Sequence, residues 1–263
     1  MRLATWNVNS IRSRIDRVEA FLQRQDIDVL AIQETKARDD QWPLMGLEAI
    51  GYEVATFGYN QWNGVAIASR VGLEDVRQGF ANMPEYGEPA AAEARALGAT
   101  CAGVQVWSLY VPNGRALGDP HLDYKLHWLD RLHAEATGWL QETPDAQIAL
   151  AGDWNIAPRD EDVFDMSRFT TSTHVSPPER AAFRRFEESG YADLVRPHAP
   201  GPDVFTYWDY YRQRFERNRG MRIDFILGTP ALEKRVTTAR VDRDERAGKG
   251  ASDHAPVVVE LAD

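Results

Sequence analysis

The chain has a single cysteine, Cys101, among its 263 residues. An intrachain disulfide and a thiolate metal site are thereby excluded, and the composition suits a reducing compartment. Cys101 itself lies in TCAGVQVW and reads as a small, buried strand residue. No stretch approaches the roughly 18 consecutive apolar residues that a membrane helix requires. Met1-Arg2-Leu3 runs straight into ATWNVN, without the apolar segment of a secretory leader, so a cytoplasmic protein is expected. Positive charge is also short: 30 Lys and Arg against 40 Asp and Glu give a formal net charge of −10. Bulk attraction to a polyanion is unfavourable, and any anionic partner must be held by local cations. Residues 212–222 (RQRFERNRGMR) are such a concentration, with five arginines against one glutamate. The sequence lacks a Gly-x-Ser-x-Gly elbow, a P-loop and a dinucleotide fingerprint, which sets aside the chemistries those motifs serve.

What is present is a series of short apolar, β-branched runs that read as strands: Leu3–Val8, Val29–Gln33, Val65–Ala68, Gly103–Val111, Ile148–Ala151, Ile223–Leu227 and Pro256–Leu261. Helical periodicity covers Arg14–Gln25, with Ile15, Val18, Phe21 and Leu22 on one face, and Asp123–Gln141, with Leu126, Leu129, Leu132 and Leu140. Gly, Pro, Asp and Arg cluster without period at 77–100, 156–178, 196–204 and 242–252, the expected loops. Strands and helices alternate irregularly, which predicts an α/β fold with mixed sheets and outer helices. No interdomain linker or repeat interrupts the chain, and one domain over 1–263 is expected.

Several strands run into a carboxylate or amide: Asn7 and Asn9 in TWNVNS, Glu34 in AIQET, Asp153 and Asn155 in LAGDWNIAP, and Asp224 in MRIDFIL. Any one has an ordinary explanation, since Asp-x-Asn also makes an Asx turn and Glu34 could be a surface acid. Burying an ionised strand end is costly unless a partner or metal compensates, so their recurrence predicts one shared rim. An antiparallel last strand brings Asp253 and His254 of SDHAPVVVEL to the same rim. Oxygen donors with one imidazole and no thiol suit Mg²⁺, or Mn²⁺, better than Zn²⁺. Such a metal polarises a phosphoryl group, and phosphodiester hydrolysis is the implied reaction. Tyr110, in SLYVPNG, either joins this rim or fills a sheet face, while Trp6, Trp107 and Trp154 read as core.

Taken in order, TWNVNSIRSR, LAIQETK, NGVAIASR, LYVPNG, AGDWNIAP, SPPERAAF, FTYWDYY, NRGMRIDFIL and SDHAPVVVEL resemble the signature of exonuclease III, within the endonuclease/exonuclease/phosphatase superfamily. QETK, SPPER and NRGMRID carry the narrower likeness. The resemblance implies a four-layer α/β sandwich of two packed mixed sheets flanked by helices. It also implies a Mg²⁺-dependent DNA-repair phosphodiesterase that cuts 5′ to abasic sites and trims 3′ ends of duplex DNA, acting as a monomer. By position, Glu34 is the principal metal ligand with Asn7 and Asp253 nearby, and Asp153 and Asn155 address the attacking water, the phosphate or the metal. His254, oriented by Asp224, binds or protonates a phosphate oxygen, and Tyr110 supports the phosphate or the leaving oxygen. Asn113 lines the groove; Phe205, Tyr207 and Trp208 wall the sugar pocket; Arg212, Arg214, Arg217, Arg219 and Arg222, with Lys125, contact DNA phosphates. Asn9 stands where some relatives carry an acid, which lowers the local negative charge, and the chain lacks the long N-terminal extension of nuclear relatives. Alternatives are a superfamily phosphatase acting on a phosphoinositide or lipid headgroup, and a non-catalytic nucleic-acid-binding relative.

Overall fold

The structure, a computed structural model, describes residues 1–263. Its strands are β1 (Arg2–Asn7), β2 (Val29–Gln33), β3 (Glu53–Phe57), β4 (Val65–Ser69), β5 (Glu74–Gln78), β6 (Ala96–Cys101), β7 (Val104–Tyr110), β8 (Ile148–Asp153), β9 (Ala192–Asp193), β10 (Asp224–Gly228), β11 (Val236–Val241) and β12 (Val257–Leu261). The helices are α1 (Ile11–Arg24), α2 (Leu44–Ala49), α3 (Pro120–Glu142), α4 (Pro177–Glu188) and α5 (Pro230–Glu233).

Two six-stranded sheets form, in the orders β11-β12-β1-β2-β4-β3 and β5-β6-β7-β8-β10-β9. Each has one parallel pair at its centre, β1 with β2 and β7 with β8, and antiparallel pairing outward. Because the central strands are covered on both faces, they are continuous apolar runs rather than alternating ones. Leu3, Val29, Ala31 and Ile67 of the first sheet meet Val104, Val106, Ala149 and Ile226 of the second in the inter-sheet core. The outer face of the first sheet packs on α1 through Val18, Phe21 and Leu22. That of the second packs on α3 and α4 through Trp128, Leu129, Leu132, Phe183 and Phe186. These are the four layers expected.

The helix boundaries follow from local chemistry. α1 begins a turn before the expected Arg14 because Ile11 is already buried. In α3, Asp119 caps the start by accepting from the His121 amide, and Pro120 occupies the first turn, where no N–H is needed. α4 opens on a capping box of Ser176 with Glu179.

Two expectations need correction. The supposed loop 77–100 contains the end of β5 and most of β6. β6 is inconspicuous because ALGATC is built of small residues; a Cβ at Gly98 would stand 2.9 Å from the Trp107 ring, so the strand is small where it must be. β3, β5, β9 and β11 also fall outside the expected strands; β3, β5 and β11 are largely exposed or half-buried and lack a clean apolar alternation.

Candidate active site

The topology delivers the chemistry to one end of the sandwich. Asn7 and Glu34 lie at the ends of the parallel strands β1 and β2, Tyr110 and Asp153 end β7 and β8, and Asp224 begins the antiparallel β10. His254 and Asp253 precede β12, which runs antiparallel to β1. Asp153 lies in register between Tyr110 on one side and Asp224 on the other. Gly152 makes this possible: a Cβ there would come within 1.9 Å of the Leu109 carbonyl oxygen. Glu34 and Asn155 both adopt left-handed backbone, at φ 48° and 50°, a conformation that asparagine accepts readily and glutamate only at a cost.

Asp153 is held from several sides. Its Oδ1 accepts from the Asn155 amide at 2.9 Å, and its Oδ2 accepts from Asn7 Nδ2 at 3.0 Å and lies 3.8 Å from His254 Nε2. The other ring nitrogen, His254 Nδ1, is 2.9 Å from Asp224 Oδ2. Asn7 Nδ2 also donates to Glu34 Oε1 at 2.8 Å, and Lys36 Nζ reaches Glu34 Oε2 at 2.9 Å. Burial drives the Asp153 carboxyl above the usual carboxylate range, and the neighbouring Asp224 charge adds to it. Burial alone would lower His254, but Asp224 and Asp153 outweigh it and hold the imidazole above its ordinary value, in its cationic form. Burial also raises the Tyr110 phenol, with Glu34 beside it, so Tyr110 remains a hydroxyl donor.

Glu34, Asp153 and His254 bring one ligand atom each within 4.8 Å of one another. Four carboxylates, Glu34, Asp153, Asp224 and Asp253, face only two cations, His254 and Lys36, around this point. The excess of negative charge and the oxygen donors fit a hard divalent cation. Asp253 lines the same cavity, but its Oδ1 accepts from Asn9 Nδ2 at 3.0 Å. Asn7 requires a correction, since it presents its nitrogen to both acids while its oxygen accepts from the Asn9 amide; it bridges the carboxylates and turns no oxygen toward the cation position.

The cavity, about 240 Å³, is lined by Asn113, Asn155, His174, Tyr207, Met221 and Ile223 in addition to the acids, Tyr110 and His254. Asn113 Nδ2 donates to Asn155 Oδ1 at 3.2 Å. His174 lies 3.0 Å from that oxygen through Nε2, and burial keeps its imidazole neutral, with a pKa pushed down to about 3. His174, Met221 and Ile223 escape sequence reasoning. A lone histidine in a loop gives no signal, and the two apolar residues merge with the run before β10.

Of the expected aromatic wall, only Tyr207 reaches the cavity, its ring centroid 4.9 Å from that of His254. Phe205 and Trp208 are 2% and 0% exposed and pack with Ala255 instead, so neither can face a sugar. Lys125 is likewise corrected. Its side chain has no exposure, and its Nζ bonds Glu179 Oε1 at 2.5 Å and the Asn155 carbonyl at 2.6 Å, so no phosphate can reach it. Arg222 is buried against Asp193, whereas Arg212, Arg217 and Arg219 are exposed and Arg214 is half-buried.

The Endonuclease/Exonuclease/phosphatase family profile matches residues 4–254. Exodeoxyribonuclease III of Haemophilus influenzae is 29% identical over 270 residues, covering 99% of this chain and 100% of that protein. Among solved structures, a 3′-5′ exonuclease (NExo) from Neisseria meningitidis superposes with a TM-score of 0.94 at 35% identity, over 100% of both chains. An AP endonuclease from Archaeoglobus fulgidus gives 0.90 at 35%, over 99% of each chain. The fold, the cluster of acids at the end of the sheets and the likeness along the whole length agree: the chain belongs to the endonuclease/exonuclease/phosphatase family, as a hydrolytic nuclease of the exonuclease III type.

Proposed function

We propose that the protein is a Mg²⁺-dependent DNA-repair phosphoesterase that acts on duplex DNA, removing 3′-phosphates and 3′-nucleotides and incising at abasic sites. The observation that carries this reading is the Asp153–His254–Asp224 array beside Glu34, in a cleft lined by amides and two tyrosines, Tyr110 and Tyr207.

Glu34 and Asp153, with Asp253 nearby, are the residues that would hold the cation, and bound there it supplies neutralisation of the charge that develops on phosphate. Asp153, fixed by hydrogen bonds from Asn7 and the Asn155 amide, orients water and takes its proton. His254 carries positive charge to a phosphate oxygen, and Asp224 fixes which ring nitrogen faces the cleft. The Asn113 and Asn155 side chains and the Tyr110 hydroxyl line the phosphate position as neutral polar groups. Exposed Arg212, Arg217 and Arg219, with the half-buried Arg214, grip the backbone outside the cleft.

His174 occupies one wall of the cleft, which has a volume of about 240 Å³, and 3′-end hydrolysis is taken as the leading activity. A Neisseria structure of 0.93 TM-score and 34% identity is described as a 3′ phosphatase bound to product DNA hairpin, which supports the same order. The Archaeoglobus AP endonuclease supports abasic incision as a second activity.

The test is a labelled panel: a duplex ending in a 3′-phosphate, one with a recessed 3′-hydroxyl, and one with an internal abasic site, each with Mg²⁺ or EDTA. Metal-dependent release from the 3′ end should dominate. Asp153→Asn should lower the single-turnover rate by about 10²–10⁴-fold, the range of a general base, and Glu34→Ala should raise the metal requirement. Shortening His174 to Ala should shift the ratio toward abasic incision. No hydrolysis of any DNA substrate by folded wild type in Mg²⁺ or Mn²⁺ would overturn the reading, and phosphoinositide hydrolysis instead would install the phosphatase alternative.

A further inference from the structure

A second cavity, about 410 Å³ and so larger than the cleft, opens on the same end of the sandwich. Three chain segments connect the two. Tyr110 lines the cleft, and the Arg95 guanidinium that lines the second cavity sits 4.9 Å from its ring. Asn113 lines the cleft, and Arg115, two residues on, lines the second cavity. Glu34 lines the cleft, and the amide of Lys36 bonds the carbonyl of Asn63 at 2.9 Å, on the loop that carries Trp62. The cavities are therefore neighbours along one surface.

The composition of this cavity differs from that of the cleft. Trp62 and Tyr59 stand at its mouth with 64% and 56% of their surfaces exposed, although large aromatic side chains are usually well buried. Tyr86 lies deeper, half-buried and stacked on Tyr124 at 4.6 Å, with Arg115 5.9 Å from its ring. The acidic group inside is already neutralised, because Glu93 accepts from Arg95 at 2.6 Å and from Asn63 at 3.0 Å. What is left facing solvent is the two exposed rings of Trp62 and Tyr59, with Arg115, beside the Tyr86 ring, as the adjacent cation. Stacking platforms of this kind hold nucleobases without regard to sequence, and the adjacent cation suits the phosphate that follows. A base held in a duplex cannot enter, because it is paired and stacked on both faces.

We propose that the cavity formed by Tyr59, Trp62, Tyr86, Arg95 and Arg115 is a subsite that stacks an unpaired nucleobase of the DNA strand whose phosphate lies in the cleft. The proposal rests on the DNA reading above and deepens it: the preferred substrate is a frayed or mismatched 3′ end. Continuity with the cleft through Tyr110, Asn113 and Lys36 commits the occupant to the substrate strand.

The test measures binding in EDTA, so that no hydrolysis intervenes, by anisotropy of labelled hairpins. One hairpin has a mismatched last nucleotide, one a paired last nucleotide, and one a tetrahydrofuran residue without a base at that position. Trp62→Ala should weaken binding of the mismatched hairpin about 5- to 150-fold, the range of one base–aromatic stack, and Trp62→Phe should restore most of it. Removing the base from the DNA should cost wild type a similar factor and the Trp62→Ala protein little more, since the two changes delete the same stack. Because Trp62 is exposed, the variant's thermal midpoint should stay at the wild-type value. Equal losses on DNA with and without the base, or no loss on either, would overturn the subsite. Base-dependent binding by a protein that hydrolyses no 3′ end would overturn the proposed activity and support the subsite; hydrolysis with no base dependence would do the reverse.

Discussion

Arg219 and Arg222 stand three residues apart in one arginine-rich run, yet they have different physical roles. Arg222 is 1% exposed; its guanidinium makes paired bonds of 2.7 and 2.8 Å to Asp193 and lies 4.4 Å from the Phe225 ring. Arg219 is exposed, and with Arg217 and Arg168 it lines a polar hollow of about 370 Å³. The same division separates Lys125, sealed against Glu179, from Lys36, half-exposed beside Glu34 at the carboxylate cluster. Desolvation decides it. A buried cation is retained only with a dedicated partner, and its charge then serves to position the chain; the charge that a substrate meets is carried by the exposed set. The buried set nonetheless shapes the site. Lys125 ties the carbonyls of Asn113 and Asn155, Glu179 accepts from the His174 amide at 2.9 Å, and Arg222 anchors the segment that presents Met221 and Ile223.

The sharpest way to break this comparison is to remove one partner of a buried pair. Arg222→Ala leaves Asp193 uncompensated and should cost about 3–5 kcal/mol of stability, read from urea unfolding midpoints. A loss below about 0.5 kcal/mol, the size of an ordinary surface change, would show that burial does not separate the two classes. A smaller, pH-dependent effect should appear at Lys125–Glu179. Burial raises the Glu179 carboxyl, but Lys125 and the hydrogen bonds of Ser176 and the His174 amide outweigh it, so its folded pKa lies below the ordinary 4.5. A depressed carboxyl contributes stability that is complete above its unfolded pKa and disappears as pH falls through the folded value. The stability of wild type relative to Lys125→Met/Glu179→Gln should therefore be constant from about pH 7 to pH 5 and decline below 4.5. A difference that stays flat to acid pH would mean that Glu179 is not held ionised by its partners.

These pairings also mark the limit of what a sequence discloses. Glu34, Asp153, Asp224 and His254 are legible because each adjoins a strand with a strong apolar run, and an ionised residue at such a place requires an explanation. The sandwich is legible for the same reason: its central strands are the apolar ones. Lys125 and Glu179 lie far apart in the chain, and lysine on a helix ordinarily faces water, so nothing in the local pattern marks either as buried. Phe205 and Trp208 flank Tyr207, and only tertiary packing determines which of the three rings faces the cavity. The second cavity is assembled from loops on both sheets, without a motif, and Trp62 in YNQWNG gives no periodic signal. Spacing along a strand reveals a face; it does not reveal which loops meet above it.

The exposed arginines supply the complementary test, with the smallest expected change in the folded protein. Arg217→Ala and Arg219→Ala remove side chains that make no buried ion pair, so each should alter stability by no more than about 0.5 kcal/mol. Their effect should appear in DNA binding as a function of salt. Each phosphate neutralised by a cation releases counterions, and on duplex DNA the slope of log affinity against log salt becomes shallower by ~0.9 for every phosphate that is no longer neutralised. A reduction of that size in either variant, on paired and mismatched hairpins alike, would place the residue on the backbone, because phosphate recognition is indifferent to base pairing. Trp62→Ala should behave oppositely, leaving the salt slope intact while discriminating between the two hairpins. An unchanged slope for both arginine variants would move the phosphate grip to other exposed cations at the same rim, with Arg115 and Lys36 next in line by position.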